Sequence, residues 1–419
     1  MPDKQKSPQI LVINTTFPEV NHLAAALAKE QMLSKLIRPY ANMGRQWEKN
    51  FATIPSLGRI YDRTLGRRKM PQPLSPSLVN EAAIIQDLAF TLHHKLPIQY
   101  RGYHDIEKKL IYALNNSIAR AGAKHLTNES MVVSSWHVAH QIFEKAKQMG
   151  VTRILNYPLA HHQFTHDYLA EEAEREPDFA ATLNGHKRPD WETARLNHEI
   201  QLADKILVGS SFVKKTFITA GIPATKLLVI PYGVDISLFS PSSKPFGSKH
   251  FDVLFVGQLS QRKGISYLLR AYEVFKSAKT SLTLIGQLQD DGSALKPWQH
   301  LFTHIPHIPR SELARYFQQA DVMVFPTLVE GMGLVVIEAM ACGLPVITTS
   351  HGPGDIVRDG IDGFLIPPRD ETAITEKLEL LKSDPELKQW MGNNARQRAK
   401  EYSWNNYHQR VVAMCKKLL

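Results

Sequence analysis

Cysteine is nearly missing from this 419-residue chain: Cys342 and Cys415 are the only two, and they lie far apart. Such a pair supplies neither a disulfide framework nor the spacing of a metal site, so a reducing, cytoplasmic setting is the default expectation. Long apolar runs are missing as well. Nothing approaches the ~18 consecutive apolar residues that mark a membrane-spanning helix, so none is expected. The opening Met1-Pro2-Asp3-Lys4-Gln5-Lys6-Ser7-Pro8 leads into an apolar run too short and too soon polar for a secretory signal. There is no Asp-x-Asp pair to present two carboxylates to one divalent ion. Helix-turn-helix, RNA-binding and zinc-finger signatures are absent too, so nucleic acid is not an expected partner despite a net charge of +10.

What is present is size and an uneven charge. With 43% hydrophobic residues the chain is too long for one ordinary core and suits two domains. Up to residue 150 there are 20 Lys/Arg against 11 Asp/Glu, so nearly the whole excess lies in the first domain. Its densest stretch, residues 45–69, mixes Arg59, Arg63, Arg67, Arg68 and Lys69 with Trp47, Phe51, Ile54, Leu57 and Tyr61. That mixture suits the surface of an anionic membrane, where each cation near the lipid is worth about 1 kcal/mol. A solvated loop would carry the same composition.

Apolar runs separated by turn residues repeat one strand-loop-helix theme. Gln9 to Asn14 opens the first unit, followed by the loop Thr15-Thr16-Phe17-Pro18 and a helix expected through about Leu36. Further strands are expected at 131–135, 153–157, 205–209 and 226–230, with the polar stretch 167–195 helical or irregular. Phe251 to Val256 opens a second such unit, followed by strands at 281–286, 322–326, 345–349 and 363–367. Ser240 to Ser248, rich in turn residues and without apolar periodicity, is the expected linker. The domains are then 1–239 and 249–402. Residues 403–419 form an amphipathic end helix with Trp404, Tyr407, Val411, Val412 and Met414 on its apolar side.

Two junctions carry chemistry. At the first, strand 251–256 ends at Gly257 and a helix begins after Arg262-Lys263-Gly264. Arg262 can hold a phosphate with two parallel hydrogen bonds, and Lys263 acts as a point charge. Taken alone, an Arg-Lys pair is more often a solvated surface feature. At the second, strand 322–326 gives way to Glu330-Gly331-Met332-Gly333, and Leu334, Val335, Ile337, Met340 and Ala341 then fall at helical spacing. A helix start of this kind carries about half a positive charge and several unpaired N–H groups, which suits a phosphate or diphosphate. Glu330 and Glu338 beside it make sense as acceptors of hydrogen bonds from sugar hydroxyls. In an open parallel sheet both loops border one crevice.

On these residues the chain resembles the family 4 glycosyltransferases, retaining enzymes with the two-domain GT-B fold. The matching segments are Gly257-Gln258-Leu259 through Arg262-Lys263-Gly264, the Glu330 to Glu338 motif, and Ala341-Cys342-Gly343-Leu344-Pro345-Val346-Ile347. Ile230-Pro231-Tyr232-Gly233-Val234-Asp235 and Asp359-Gly360-Ile361-Asp362-Gly363-Phe364-Leu365-Ile366 match as well. Together they cover most of the second half, while the first half matches only loosely. The resemblance implies an α/β fold of two Rossmann-like, doubly wound domains facing a central cleft, with the last helix crossing back to the first domain.

It also implies a reaction: retaining, metal-independent transfer of a hexosyl group from a nucleotide-diphosphate sugar to an acceptor hydroxyl, in polysaccharide or glycolipid biosynthesis. The donor would be a UDP-, GDP- or dTDP-sugar, with no cofactor. The acceptor would be a saccharide or a lipid-linked molecule, reached from the cytoplasm or from the inner face of the plasma membrane. Carried over residue by residue, Arg262 and Lys263 neutralise the diphosphate, Glu338 holds the ribose and Glu330 the transferred sugar. Backbone N–H groups of Met332, Gly333 and Leu334 touch sugar and phosphate, Gly257 lets the backbone approach, and Ile308 lies near the base. His161, in Pro158-Leu159-Ala160-His161-His162, is the candidate catalytic histidine. Two departures stand out: Asn14 to Pro18 replaces a common Gly-Gly loop, and Met332 replaces an aromatic. A non-catalytic sugar-nucleotide-binding protein of the same fold, or a sugar-nucleotide epimerase, are the other readings.

Overall fold

The computed structural model describes residues 8–54, 58, 61, 66, 68–95, 104–183, 185, 187–242 and 250–419. Leu57, Arg59, Arg63 and Arg67 of the basic stretch lie outside the described residues, as do 243–248 of the expected linker.

The first sheet contains β1 (Ile10–Ile13), β2 (Leu33–Arg38), β3 (Val79–Glu81), β4 (Met131–Ser135), β5 (Thr152–Asn156), β6 (Lys205–Val208) and β7 (Leu227–Val229). Their order is β3-β2-β1-β4-β5-β6-β7, and the pairs from β3 to β6 are parallel. Continuous apolar runs such as Ile10 to Ile13, fully buried, are what a parallel sheet covered on both faces requires. The second sheet contains β8 (Phe251–Val256), β9 (Thr280–Ile285), β10 (Thr303–Ile305), β11 (Val322–Phe325), β12 (Val346–Thr349) and β13 (Gly363–Ile366). It is parallel throughout, in the order β10-β9-β8-β11-β12-β13.

One expectation fails locally. The first helix covers Pro18–Lys29 and stops well before Leu36. Gln31 turns the chain through a left-handed conformation (φ 58°), and Leu33 to Ile37 then pair with β1. Leu33, Leu36 and Ile37 are buried there, so sheet pairing and burial override the local helical spacing. The short edge strands β3 and β10 also escaped the sequence pattern. Three residues are too few to show alternation. The polar stretch 167–195 resolves into the end of helix His162–Arg175, a 3₁₀ turn at Pro177–Thr182 and the start of helix Asp190–Leu202.

By contacts the chain divides into two compact units. One comprises Met1–Tyr157, Asp190–Leu207 and His408–Leu419; the other comprises Pro158–Pro189 and Val208–Tyr407. The end of helix Trp404–Leu418 belongs to the first unit, where Lys416 pairs with Glu30 at 2.8 Å and the His408 and His22 rings meet at 3.1 Å. Among the described residues no helix is long and apolar enough to cross a membrane.

In the second sheet the chain winds outward from β8 in one direction and from β11 in the other. β8 and β11 are neighbours, with Val253 opposite Val322 and Leu254 opposite Met323. Their C-terminal ends therefore flank the topological switch point, where open α/β sheets bind ligands.

Candidate active site

The loops leaving β8 and β11 are in contact with each other. After β8 the chain forms a 3₁₀ turn, Gln261–Lys263, and Gly264 (φ 72°) then caps helix Ile265–Phe275. A side chain at Gly264 would overlap the Pro326 carbonyl oxygen, so both backbone hand and space demand glycine there. The Arg262 carbonyl accepts from the Leu328 N–H at 2.9 Å and the Thr327 hydroxyl at 3.3 Å. These bonds fix the cationic turn against the segment that leads to Glu330.

The charges predicted to sit on opposite sides of a ligand pair directly. Lys263 Nζ forms an ion pair with Glu330, and Arg262 lies 3.5 Å from the same carboxylate while donating to the Val329 carbonyl at 2.8 Å. The Lys263 ammonium also stands 4.8 Å above the Phe325 ring. Burial pushes Lys263 well below the usual lysine range, and Arg262 beside it adds to the shift. The Glu330 carboxylate in contact with it opposes that shift. Burial also lowers Arg262, to about 10.

Glu338 lies in helix Leu334–Ala341, which begins after Gly333. The N–H groups of Met332, Gly333 and Leu334 have no acceptor among the described residues, as the first turn of a helix leaves them. Glu338 is 6% exposed and forms an ion pair with Arg310. Burial raises its carboxyl above the ordinary range, and Arg310 opposes the rise. Arg310 opens helix Arg310–Gln319 two residues beyond the half-buried Ile308, and its guanidinium lies 5.7 Å from the Phe239 ring. Nothing in the local sequence around Arg310 signals this pairing, because Glu338 lies 28 residues away. Met332 is core: it is 1% exposed and its sulfur accepts from the Tyr232 N–H at 2.8 Å.

The segment holding His161 backs onto the same motif. A side chain at Gly331 would collide with the Pro158 carbonyl oxygen, and Ser210 Oγ donates to the Gly331 carbonyl. Ala160, Leu169, Leu183 and Val329 share one apolar cluster, which brings helix His162–Arg175 against the residue preceding Glu330. His161 starts that helix: its Nδ1 accepts from the Gln163 N–H at 3.2 Å, and its ring meets Phe217 edge-on at 4.9 Å. Burial, with Arg188 adding, lowers its pKa to about 4, so the ring is neutral at ordinary pH.

Sequence reasoning missed the buttress behind the cationic turn. Glu172 is fully buried and accepts from Gln261 Nε2 at 2.7 Å and the Tyr267 hydroxyl at 2.9 Å, with Arg369 Nε 2.7 Å away. The Gln261 N–H donates to Thr182 Oγ1 at 2.8 Å. Gln261 immediately precedes Arg262, so this network holds the turn from behind. Nothing in the sequence separates Glu172 from the other glutamates of a polar helix. A cavity of about 580 Å³ lies near the Ser350–Asp355 loop, lined in part by Phe164, Tyr168, Phe212, Lys215 and His351. None of the candidate donor-binding or catalytic residues lines it. Among the described residues no group of three or more His, Cys, Asp or Glu is placed to hold a metal ion.

Residues 239–398 match the model for glycosyl transferases group 1. This region belongs to that family. The chain is 31% identical over 195 residues to a D-inositol 3-phosphate glycosyltransferase of Arthrobacter sp. (strain FB24), covering 42% of this chain and 46% of that protein. It is 30% identical over 215 residues to the capsular polysaccharide biosynthesis glycosyltransferase CapM of Staphylococcus aureus, covering 47% and 57%. The chain thus spans about half the length of the curated relatives it matches. Among solved structures, sucrose-phosphate synthase from Thermosynechococcus elongatus superposes with a TM-score of 0.65 at 18% identity, over 98% of this chain and 99% of that one. Anabaena Alr3699/HepE in complex with UDP and glucose gives 0.64 at 14% identity, over 98% and 100%. At such identities the likeness establishes the fold. The group 1 region and the sheet preceding it are the two parallel α/β sheets of the GT-B class.

Proposed function

We propose that the protein transfers a hexosyl group from a nucleotide-diphosphate sugar to an acceptor hydroxyl, with retention of configuration and without a metal ion. The observation that carries this reading is the meeting of Arg262, Lys263, Glu330 and a bare helix start at one switch point, within a group 1 glycosyltransferase region. An arriving diphosphate takes Lys263 and Arg262 from Glu330, which leaves that carboxylate to accept from sugar hydroxyls. Glu338, held by Arg310, accepts from the ribose. Support for a nucleotide-sugar donor comes from the HepE structure, whose ligands are UDP and glucose.

The bond from the anomeric carbon to the diphosphate oxygen breaks, and a bond to the acceptor oxygen forms on the same face. The acceptor proton passes to the departing phosphate oxygen, so no enzymic nucleophile is needed. Arg262, Lys263 and the helix start stabilise the charge that grows on the leaving group, each charge-assisted hydrogen bond contributing roughly 1.5–3 kcal/mol. A UDP-, GDP- or dTDP-sugar fills the donor role, with Ile308 beside the base. The acceptor is a saccharide or a lipid-linked molecule, and the setting is the cytoplasm.

The test is transfer by the purified full chain from UDP-, GDP- and dTDP-hexoses in the presence of a chelator, with the product anomer read by NMR. Donor turnover with retention supports the reading, and an inverted product removes the mechanism. Tight nucleotide binding without turnover on any acceptor would favour the binding-only alternative. His161 has a separate test, because His161→Phe keeps a ring against Phe217 and removes the nitrogens. Loss of turnover at unchanged donor affinity supports a catalytic part for it, and unchanged turnover removes that part.

A further inference from the structure

The first unit carries an apolar surface that its own fold leaves outside. Helix Ile84–Lys95 turns Asp87 inward, where that residue is 1% exposed, accepts from the Tyr40 N–H at 3.2 Å and pairs with Arg68. At helical spacing Ile84, Leu88, Leu92 and Ile85 fall within an arc of about 100°. Their exposures are 40%, 37%, 65% and 80%. The apolar stripe therefore faces out and the carboxylate faces in, the reverse of an ordinary surface helix.

A second stripe lies beside it. Helix Gln46–Ala52 exposes Trp47 and Phe51, one turn apart, and Ile54 follows just past its end. Arg45, at the start of that helix, pairs with Glu81 at 2.6 Å, and Glu81 lies three residues before Ile84. Both stripes thus sit at the β3 edge of the first sheet. Exposed apolar side chains grouped on one edge and rimmed by polar residues mark interaction sites.

Charge selects the partner. Lys49 stands between Trp47 and Phe51 in sequence, Lys69 follows Arg68, and Lys108 and Lys109 lie on helix His104–His125, which packs along helix Ile84–Lys95. Among the described residues none of these four lysines has a carboxylate within ion-pair reach. They belong to the part of the chain that holds 20 Lys/Arg against 11 Asp/Glu. We propose that this edge is a docking face for an anionic lipid bilayer, with Trp47, Phe51, Ile85 and Leu92 entering the acyl boundary and the lysines meeting the headgroups. A 12-residue helix with one apolar arc and aromatic neighbours is suited to lie in the plane of such an interface. The proposal does not depend on the transfer reaction, and it moves the membrane contact expected at residues 45–69 largely onto helix Ile84–Lys95.

The experiment is sedimentation of the full chain with vesicles of phosphatidylcholine alone and of phosphatidylcholine mixed with phosphatidylglycerol, at low and high salt. The expected result is binding to the mixed vesicles at least about tenfold tighter than to the neutral ones, weakening with salt. The double variant Ile85→Glu/Leu92→Glu should lose about tenfold or more of that binding. Both side chains are exposed, so its melting temperature should match the parent. Trp47→Ala/Phe51→Ala repeats the test on the other stripe should the first variant fail to fold. Equal binding to both vesicle types overturns the proposal, and so does a folded double variant that sediments like the parent. A parent that is dimeric by light scattering, ignores vesicles and becomes monomeric in the double variant would assign the face to a second copy of the chain and also overturn it.

Discussion

The two sheets share a strand order over their first six members and differ in what they hold at the switch point. At the end of β1 the Asn14 amide is held by its neighbours, and nearby, among the described residues, only the Asn156 Oδ1 is left over. Asn14 Nδ2 donates to the Phe17 carbonyl and to Asn21 Oδ1, both at 2.8 Å, while Ser135 Oγ donates to Asn14 Oδ1 at 3.1 Å. Glu19, next in the helix, is buried and receives the Asn156 amide at 3.2 Å; burial raises its carboxyl to about 7. At the end of β8 a buried lysine and a half-buried arginine face a half-buried carboxylate, beside a helix start whose N–H groups have no acceptor among the described residues. Identical topology thus sets where a site can be, and the loop residues set what it binds.

The widest gap between the two places should appear in turnover. Lys263→Ala removes a charge aimed at the leaving group and should lower kcat/KM by at least about a hundredfold in a chain that still folds. Asn14→Ala at the corresponding place in the first sheet should cost far less turnover. Equal losses in steady-state assays of the two variants would erase the contrast.

A second prediction concerns how tightly the second site is built. Gly264→Ala forces a left-handed backbone and meets the Pro326 carbonyl, so it should destabilise by about 2–4 kcal/mol in denaturant unfolding. A loss below 1 kcal/mol, on the order of an exposed loop change, would mean that the loops after β8 and β11 are not locked together.

The buried carboxyl of the first sheet predicts a pH effect. Because the folded pKa of Glu19 lies above its unfolded value, the folded state holds the proton more tightly. Stability is then full below about pH 4.5 and declines as pH rises through about 7. The decline from this one group is up to about 3 kcal/mol. Glu19→Gln should flatten that dependence and raise the unfolding midpoint at pH 8. A variant with the parent's pH profile would place the proton elsewhere.

The smallest effect should come from the buttress. Glu172→Gln keeps the shape but weakens its bonds to Arg369, Tyr267 and Gln261, and should cost about 1–2 kcal/mol of stability. It should also raise the donor KM severalfold while leaving kcat within about twofold, as expected for a residue that positions Arg262 through Gln261. A loss of stability with donor KM untouched would make Glu172 purely structural.

Much of the second sheet was legible because short-range pattern and long-range structure agree there. Phe251 to Val256 and Val322 to Phe325 are apolar runs ending in glycine-containing loops, and their charged residues follow at fixed spacing. β2 was not legible. Leu33 to Arg38 continue a helical spacing, and only pairing with β1 makes them a strand. Arg310 and Glu172 were equally hidden, since their partners Glu338 and Gln261 are distant in sequence and neither pair follows from local spacing.

The sequence by itself determined the glycine turns, the cations at 262 and 263, and the carboxylates at 330 and 338, because each rests on backbone conformation or charge at short range. Tertiary structure alone decided that Lys263 meets Glu330, that Arg310 meets Glu338, and that Ile85 and Leu92 face outward. Those outcomes depend on which strands become neighbours and which helix faces are covered, and both are set by burial summed over distant parts of the chain.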